Sequence, residues 1–164
     1  HYATEVCKCP DKAHPYCLKL FRQRWYMLAH TIGKEELRIY SLDRIADIEV
    51  LDTPLILPEN FDAADFFSDY FGIIIGHNIK PSILELKASA EQARYLESLP
   101  LHSSQEVVET TPEYTIFRYR VVPTFDLKQE ILSRGATLEV LSPEWFREEV
   151  VSEIKQMIKN YQLS

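Results

Sequence analysis

Residues 24–30 read RWYMLAH, and residues 38–45 read RIYSLDRI. In the first stretch Trp25, Met27 and Ala29 occupy every second position, which is the repeat of a β-strand. Between the two stretches, Gly33-Lys34-Glu35-Glu36 favours a tight turn. The two stretches therefore predict a β-hairpin, and this hairpin decides how the first part of the chain folds.

Other short runs of β type flank this hairpin. Four runs separated by turn signals cover residues 16–20, 24–30, 37–42 and 45–51. Short strands with tight turns and almost no helical pattern predict a small antiparallel β-barrel over residues 1–59, because a barrel of this size removes its sheet edges by closing.

The rest of the chain has a different pattern. Pro54 and Pro58 precede a stretch rich in aromatic residues, which predicts an aromatic helical linker over residues 60–81. From residue 82 to residue 164 the order is β-α-β-β-α-β-α, a ferredoxin-like pattern with one added helix. The predicted fold class is therefore mixed α and β, with a small antiparallel β-barrel followed by a ferredoxin-like α+β domain.

The charge of the chain is unevenly distributed. Its formal net charge of −7 argues against sequence-independent binding of duplex DNA, because that affinity comes mainly from Lys and Arg. Residues 14–44, however, hold six Lys or Arg against three acids, whereas residues 45–70 hold seven acids and no Lys or Arg. A basic surface confined to one region suits a small anionic partner.

Three cysteines and one histidine form the pattern Cys-x-Cys-x4-His-x2-Cys at Cys7, Cys9, His14 and Cys17. Structural zinc ligands are usually two to four residues apart, so the Cys-x-Cys pair is tight for one tetrahedral ion. Free thiols on strands are the alternative interpretation, under which the protein holds neither a metal nor another cofactor. We adopt this alternative, and zinc at these four residues stays open.

Motifs of catalysis are missing from the sequence. It contains no nucleophile elbow, no phosphate-binding glycine-rich loop, no zinc-protease motif and no dinucleotide fingerprint. With only four glycines in the chain, such loops are hardly feasible. We therefore expect a protein that is not an enzyme.

The ends and the apolar runs of the chain bear on its location. No apolar run approaches the ~20 residues that cross a bilayer, and the first residues do not resemble a signal peptide. We therefore expect a cytoplasmic protein without a membrane partner. The chain begins with His1 instead of Met, which indicates a larger protein trimmed at its N-terminus.

Cations and aromatic side chains are mixed in the early part of the chain. Arginine can form two hydrogen bonds to one phosphate, and Trp and Tyr rings can stack on a nucleobase. Strand alternation could place Arg38 and Arg44 on one accessible face, so we expect these arginines to sense the ligand. For Trp25 we expect a place in the core, because large aromatic residues dominate small cores.

These residues resemble the WYL-domain family of bacterial transcription regulators, which is named after a Trp-Tyr-Leu tripeptide. The tripeptide reads Trp25-Tyr26-Met27 here, with Leu28 next, and RIYSLDRI follows at residues 38–45. Residues 66–164, with Tyr70-Phe71-Gly72 near their start, resemble the C-terminal extension of many such regulators.

The resemblance implies that residues 1–59 form an Sm-like or SH3-like β-barrel that senses a ligand. Such barrels are normally coupled to an N-terminal winged helix-turn-helix that binds promoter DNA, and no such helical segment is present in this sequence. In relatives the barrel is proposed to bind a nucleotide-like or single-stranded DNA effector. The corresponding effector-binding residues here are His14, Lys19, Arg24, Tyr26, Arg38 and Arg44.

Two functions are open at this point. The first is a ligand-sensing effector region that biases an absent DNA-binding domain. The second is a protein-interaction or dimerisation module without a small ligand, in which the barrel edge and the aromatic linker form the interface. We favour the first and also expect a homodimer. The sequence identifies neither the effector, nor the promoter, nor the sign of regulation.

Overall fold

The computed structural model describes residues 12–76 and 79–161 of the 164-residue chain. The chain divides into two compact units, one ending at Ala63 and the other beginning at Ala64. Each unit has its own antiparallel sheet, so the predicted mixed α and β class is confirmed. Among the helices of the described ranges, none combines the length and the apolar composition that a membrane crossing requires.

The first unit is built on a three-stranded sheet. Strand β1 covers Ala13–Phe21, β2 covers Arg24–Thr31 and β3 covers Leu37–Ser41. The order is β1-β2-β3, so the predicted hairpin is present and β2 has an antiparallel partner on each side. Leu28 and Ala29, on opposite faces of this central strand, are both completely buried.

A two-residue turn joins β1 to β2. Both of its residues, Arg22 and Gln23, have left-handed backbone conformations, with φ angles of 46° and 64°. Tight hairpins favour positive φ at both central positions because this geometry matches the twist of the strands, and Asn-Gly is the preferred sequence. Residues other than glycine carry backbone strain there, on the order of 1–2 kcal/mol each. The pairing of the two strands therefore holds this turn in a strained conformation.

The described residues of the first unit do not form a closed barrel. The predicted strand at residues 45–51 was wrong, because after β3 the chain forms a 3-10 helix at Leu42–Arg44 and then continues without regular structure. Val50 in this segment is 90% exposed. An apolar, β-type pattern forms a strand only where another strand pairs with it, and the described residues provide none here. Residues 1–11, the start of the predicted barrel, lie outside the described residues.

The second unit has the predicted ferredoxin-like topology. Its elements, beginning with a helix at the boundary of the units, are α1 (Ala63–Phe67), β4 (Ser82–Ser89), α2 (Ala90–Ser98), β5 (Glu106–Thr110), β6 (Tyr114–Val121), α3 (Phe125–Ser133), β7 (Leu138–Ser142) and α4 (Glu144–Tyr161). The sheet order is β5-β6-β4-β7, and every neighbouring pair is antiparallel. Strands β4 and β5 thus run in the same direction with β6 between them, which is the split βαβ arrangement.

The core of the second unit lies on one face of this sheet. Alternate residues of β4 and β6 are buried there and pack with apolar residues of the helices. The largest of them are Leu84, Leu86, Phe117, Tyr119 and Phe146. The Tyr119 hydroxyl donates a hydrogen bond to Oε1 of Gln105 at 2.9 Å, and burial raises the pKa of Tyr119.

Residues 69–74, within the predicted linker, are hydrogen-bonded to the rest of the second unit. The backbone N–H of Val122 donates to the carbonyl oxygen of Asp69 at 2.7 Å. The backbone N–H groups of Ile73 and Ile74 both donate to Oδ2 of Asp126, each at 2.8 Å. One carboxylate in the first turn of α3 therefore satisfies two neighbouring N–H groups of this segment.

Gly72 explains why the chain can approach Asp126 so closely. A Cβ atom at Gly72 would lie 2.4 Å from Oδ2 of Asp126, which is closer than carbon and oxygen atoms can approach without bonding. Asp126 itself is buried. Glycine at position 72 is therefore required by the close approach of this segment to Asp126 in α3.

We predict that Asp126→Ala lowers the free energy of unfolding by about 2–3 kcal/mol, because hydrogen bonds to a charged group contribute ~1.5–3 kcal/mol and two partly buried donors lose their acceptor. Chemical denaturation measures this change. The control is Glu148→Ala on an exposed position of α4, which should change stability by less than about 0.5 kcal/mol. Equal effects of the two variants would contradict the role assigned to Asp126.

A second prediction concerns the strained turn. Gln23→Gly should raise the free energy of unfolding by about 0.5–1 kcal/mol, since relief of ~1–2 kcal/mol of strain exceeds the ~0.5–1 kcal/mol entropic cost of glycine. Thermal unfolding of the variant beside the wild type provides the measurement. A loss of stability would mean that the turn is not held in the left-handed conformation.

Candidate functional site

A groove of about 340 Å³ lies in the first unit, at the end of the sheet where β1 begins and β2 ends. Its walls are mostly apolar and combine strand residues with a part of the irregular segment that follows the 3-10 helix. The lining residues are His14, Tyr16, His30, Ile32, Gly33, Ile56, Leu57 and Pro58. Its size is at the lower end of the range for small-ligand sites.

Two histidines form the polar part of this groove. The rings of His14 and His30 are stacked in parallel, with centroids 6.4 Å apart and 5° between the planes. Nδ1 of His14 accepts a long hydrogen bond of 3.4 Å from the backbone N–H of Ile56, and Nε2 of His30 donates to the carbonyl oxygen of Lys34 at 2.8 Å. These contacts orient the rings and connect the irregular segment to the sheet.

The strand register places four of the six predicted effector residues on one face of the sheet. His14 lies opposite His30, and Lys19 lies opposite Tyr26. Arg24, two residues before Tyr26, projects to the same side because side chains alternate along a strand. We call this side, with His14, Lys19, Arg24 and Tyr26, the Tyr26 face.

The Tyr26 face has an apolar end and a basic end. From His30 in the groove, Tyr26 is four residues away along β2 and Arg24 is six, which corresponds to about 13 Å and about 20 Å at ~3.3 Å per residue. Leu28, completely buried, lies between the two ends. Lys19 and Tyr26 are half-buried, and Arg24 is exposed.

Arg24 is bound by the carboxylate of Asp43, in the 3-10 helix that follows β3. Its Nη1 atom donates to Oδ2 of Asp43 at 2.6 Å. The hydroxyl of Ser41 donates to the other carboxylate oxygen, Oδ1. The Ser41 hydroxyl contributes most, and the Arg24 guanidinium adds to it, in lowering the pKa of Asp43 below its usual value.

The remaining two predicted residues lie elsewhere. Arg38 is opposite Ala29 and therefore projects from the other face of the sheet. Arg44 does not belong to a strand, because β3 ends at Ser41 and the chain turns into the 3-10 helix. The expectation that strand alternation holds Arg38 and Arg44 on one face was therefore wrong. Both are exposed, and neither forms an ion pair with a residue that the structure describes.

Trp25 is not a core residue, contrary to the prediction. Its side chain is 51% exposed, and it lies opposite Leu20 on the face that also carries Leu18. Leu18 and Leu20 are 58% and 56% exposed. Described residues leave this part of the sheet uncovered, so an apolar patch remains at the surface. The sequence signal for this apolar patch was the pair Leu18 and Leu20, which flank Lys19 on β1.

The zinc pattern is only partly within the described residues. Cys7 and Cys9 lie outside them. In the described ranges there is no cluster of three or more His, Cys, Asp or Glu that could hold a metal ion. Cys17, on β1, lies opposite Leu28 of β2, and burial raises the pKa of the Cys17 thiol.

Two regions of the chain match known domain families. Residues 10–50 match the WYL domain, and residues 82–158 match the WCX domain. The first match confirms the resemblance seen in the sequence and contains all six predicted effector residues. A comparison of the chain with curated proteins found no match.

The structure is also similar to a solved one. It resembles proteasome accessory factor B/C (PafBC) of Arthrobacter aurescens, with 16% sequence identity and a TM-score of 0.43. The similarity covers 92% of this chain and 22% of that chain. This chain therefore spans about a fifth of the length of that protein.

We predict that Ser41→Ala raises the pKa of Asp43 more than Arg24→Gln does, because the Ser41 hydroxyl is the largest cause of the lowered value. A lowered pKa means that the ionised carboxylate stabilises the fold at neutral pH, and that this contribution is lost as the pH falls through the pKa of Asp43. Carboxyl-carbon NMR titrations of both variants measure the two shifts. An unchanged pKa in Ser41→Ala would contradict the assignment.

Proposed function

We propose that this chain, which carries a WYL domain followed by a WCX domain, is the ligand-sensing effector region of a bacterial transcription regulator. Its ligand is a nucleotide-like molecule or a short single strand of nucleic acid. Promoter DNA would be bound by a separate winged helix-turn-helix, and the proposal assigns no catalytic step to the chain.

One observation carries the proposal: the Tyr26 face combines two cations, an aromatic ring and an apolar groove on the same side of one sheet. Lys19 lies directly opposite Tyr26, and Arg24 is two positions away on the same strand. Lys and Arg bind phosphate oxygens, and a Tyr ring stacks on a base. This set of groups suits a ligand that has both phosphates and planar rings.

The groove supports a ligand longer than a single base. Its walls are mostly apolar, and the rings of His14 and His30 present polar atoms to it. A base in the groove would be about 13–20 Å from Tyr26 and Arg24, with the buried Leu28 between them. A short single strand can contact both ends at once, whereas a free base reaches only one.

The same groove offers a route by which binding changes the protein. Ile56, Leu57 and Pro58 belong to the irregular segment between the sheet and the second unit. A ligand in the groove contacts this segment directly. Binding would shift the regulator between states only if the ligand prefers one arrangement of the segment over another.

The alternative function, a protein-interaction or dimerisation module, is supported by a different observation. Large apolar side chains are exposed on the face opposite Tyr26 and along the second half of α4, and exposed apolar patches often mark interaction sites. The residues are Leu18, Leu20 and Trp25 on the sheet, and Ile154, Met157, Ile158 and Tyr161 on the helix. A dimer in solution whose mass is unaffected by nucleic acid would favour this alternative.

The ligand proposal predicts that the two faces of the sheet respond differently. Arg24→Gln and Lys19→Gln should each raise the Kd for a short single-stranded oligothymidylate by at least about tenfold, because each removes a charged hydrogen bond worth ~1.5–3 kcal/mol. Tyr26→Ala should have a similar effect through the loss of a stacked base. Fluorescence anisotropy with a labelled oligonucleotide measures the three changes.

Arg38→Gln is the matched control, since it removes the same charge from the opposite face. It should change the Kd by less than about twofold at physiological salt. Equal weakening by Arg24→Gln and Arg38→Gln, or binding that disappears at modest salt in every variant, would indicate generic electrostatic attraction and would overturn the proposed site.

A further inference from the structure

Asp43 forms an ion pair with Arg24, one of the two cations of the proposed effector site. Its Oδ2 atom lies 2.6 Å from Nη1 of Arg24, and its Oδ1 atom accepts the hydrogen bond from Ser41. Tyr26 lies opposite Ser41, the last residue of β3, and Asp43 follows two residues later in the 3-10 helix. Arg24 precedes Tyr26 by two residues on β2, so the end of the β2–β3 ladder and the turn after it bring the two side chains into contact.

A carboxylate at this position imitates a phosphate. Both present anionic oxygens in a geometry that a guanidinium group binds with charged hydrogen bonds. An effector phosphate that binds Arg24 must therefore replace the carboxylate oxygen that is already there.

We propose that Asp43 is an internal competitor for the effector: it holds Arg24 in the unliganded protein, and an anionic ligand binds by displacing it. The inference rests on the proposed function and deepens it, because it states what the ligand must exchange with. Asp43 thereby selects against weakly charged ligands. A terminal phosphate, with a charge of about −1.5 to −2 at neutral pH, competes with one carboxylate better than a singly charged group does.

The strength of the pair suits such an exchange. The side chains of Arg24 and Asp43 are 58% and 45% exposed, so water screens their attraction, and exposed ion pairs of this kind are weak. Ser41 and Arg24 lower the pKa of Asp43, so the carboxylate is ionised and competes throughout the neutral range. A ligand can therefore displace Asp43 at a small cost in binding free energy, and every anionic ligand that binds Arg24 meets this cost.

Displacement of Asp43 would also act on the rest of the unit. Asp43 is the middle residue of the 3-10 helix Leu42–Arg44, which is closed by a hydrogen bond of 3.3 Å from the backbone N–H of Ile45 to the carbonyl oxygen of Leu42. The segment that starts there supplies one wall of the groove through Ile56, Leu57 and Pro58. Exchange at Arg24 therefore removes one side-chain contact from the turn at the start of the segment that the other end of the ligand contacts.

The test compares D43N with D47N by fluorescence anisotropy, using the labelled short oligothymidylate with a 5′-phosphate and wild-type protein as reference. D47N is the matched control, because it removes an equal charge from an exposed residue of the same segment without a contact to Arg24. We expect D43N to bind about two- to fivefold more tightly than wild type, the range that a weak exposed ion pair allows, and D47N to differ by less than about twofold. The double variant R24Q/D43N should bind no more tightly than R24Q.

The outcomes separate this inference from the proposed function. If R24Q weakens binding but D43N binds equally well or less well than wild type, Asp43 orients Arg24 and the competitor role is wrong while the site stands. If R24Q binds as tightly as wild type, the site itself is wrong and the inference fails with it. Absence of binding in wild type and D43N alike would overturn both.

Discussion

The register of β2 between its two antiparallel neighbours is the constraint on which the first unit depends. Because side chains alternate along a strand, a shift of one residue would move every side chain to the other face. The register that pairs Lys19 with Tyr26 also places Arg24 on their face, and a shift of register between Pro15 and Cys17 brings His14 opposite His30 at the groove. Strand pairing thus fixes which side chains share a face, with Lys19, Arg24 and Tyr26 on one and Leu18, Leu20 and Trp25 on the other.

Local patterns were sufficient to predict elements whose partners are close in sequence. The period of two at residues 24–30 and the turn at residues 33–36 led directly to the β2–β3 hairpin, and the order of elements after residue 82 led to the split βαβ topology. Residues 45–51 have an equally apolar, β-type pattern, yet they form no strand. Whether such a pattern forms a strand depends on a neighbour that local sequence does not specify.

The sequence predicted the region of the candidate site better than it predicted which residues share a face there. The basic and aromatic residues of the early strands marked the right region, but which of them share a face depends on pairing register and on where β3 ends. Because β3 ends at Ser41, Arg44 leaves the sheet. Because Arg38 pairs with Ala29, its side chain projects from the other side of the sheet than the Tyr26 face. Trp25 was predicted from size to be buried, whereas its burial depends on whether another element covers that face.

The proposed function requires that an anionic, ring-containing ligand bind the Tyr26 face and not the face that carries Trp25. Side-chain NMR signals report which face binds the ligand most directly, because a backbone amide lies in the plane of the sheet and can respond to a ligand on either face. On titration with a short oligothymidylate, we expect shifts in the Arg24 Nε–Hε and Tyr26 ring signals, while those of Arg38 and Trp25 stay in place. Shifts confined to Arg38 and Trp25 would contradict it.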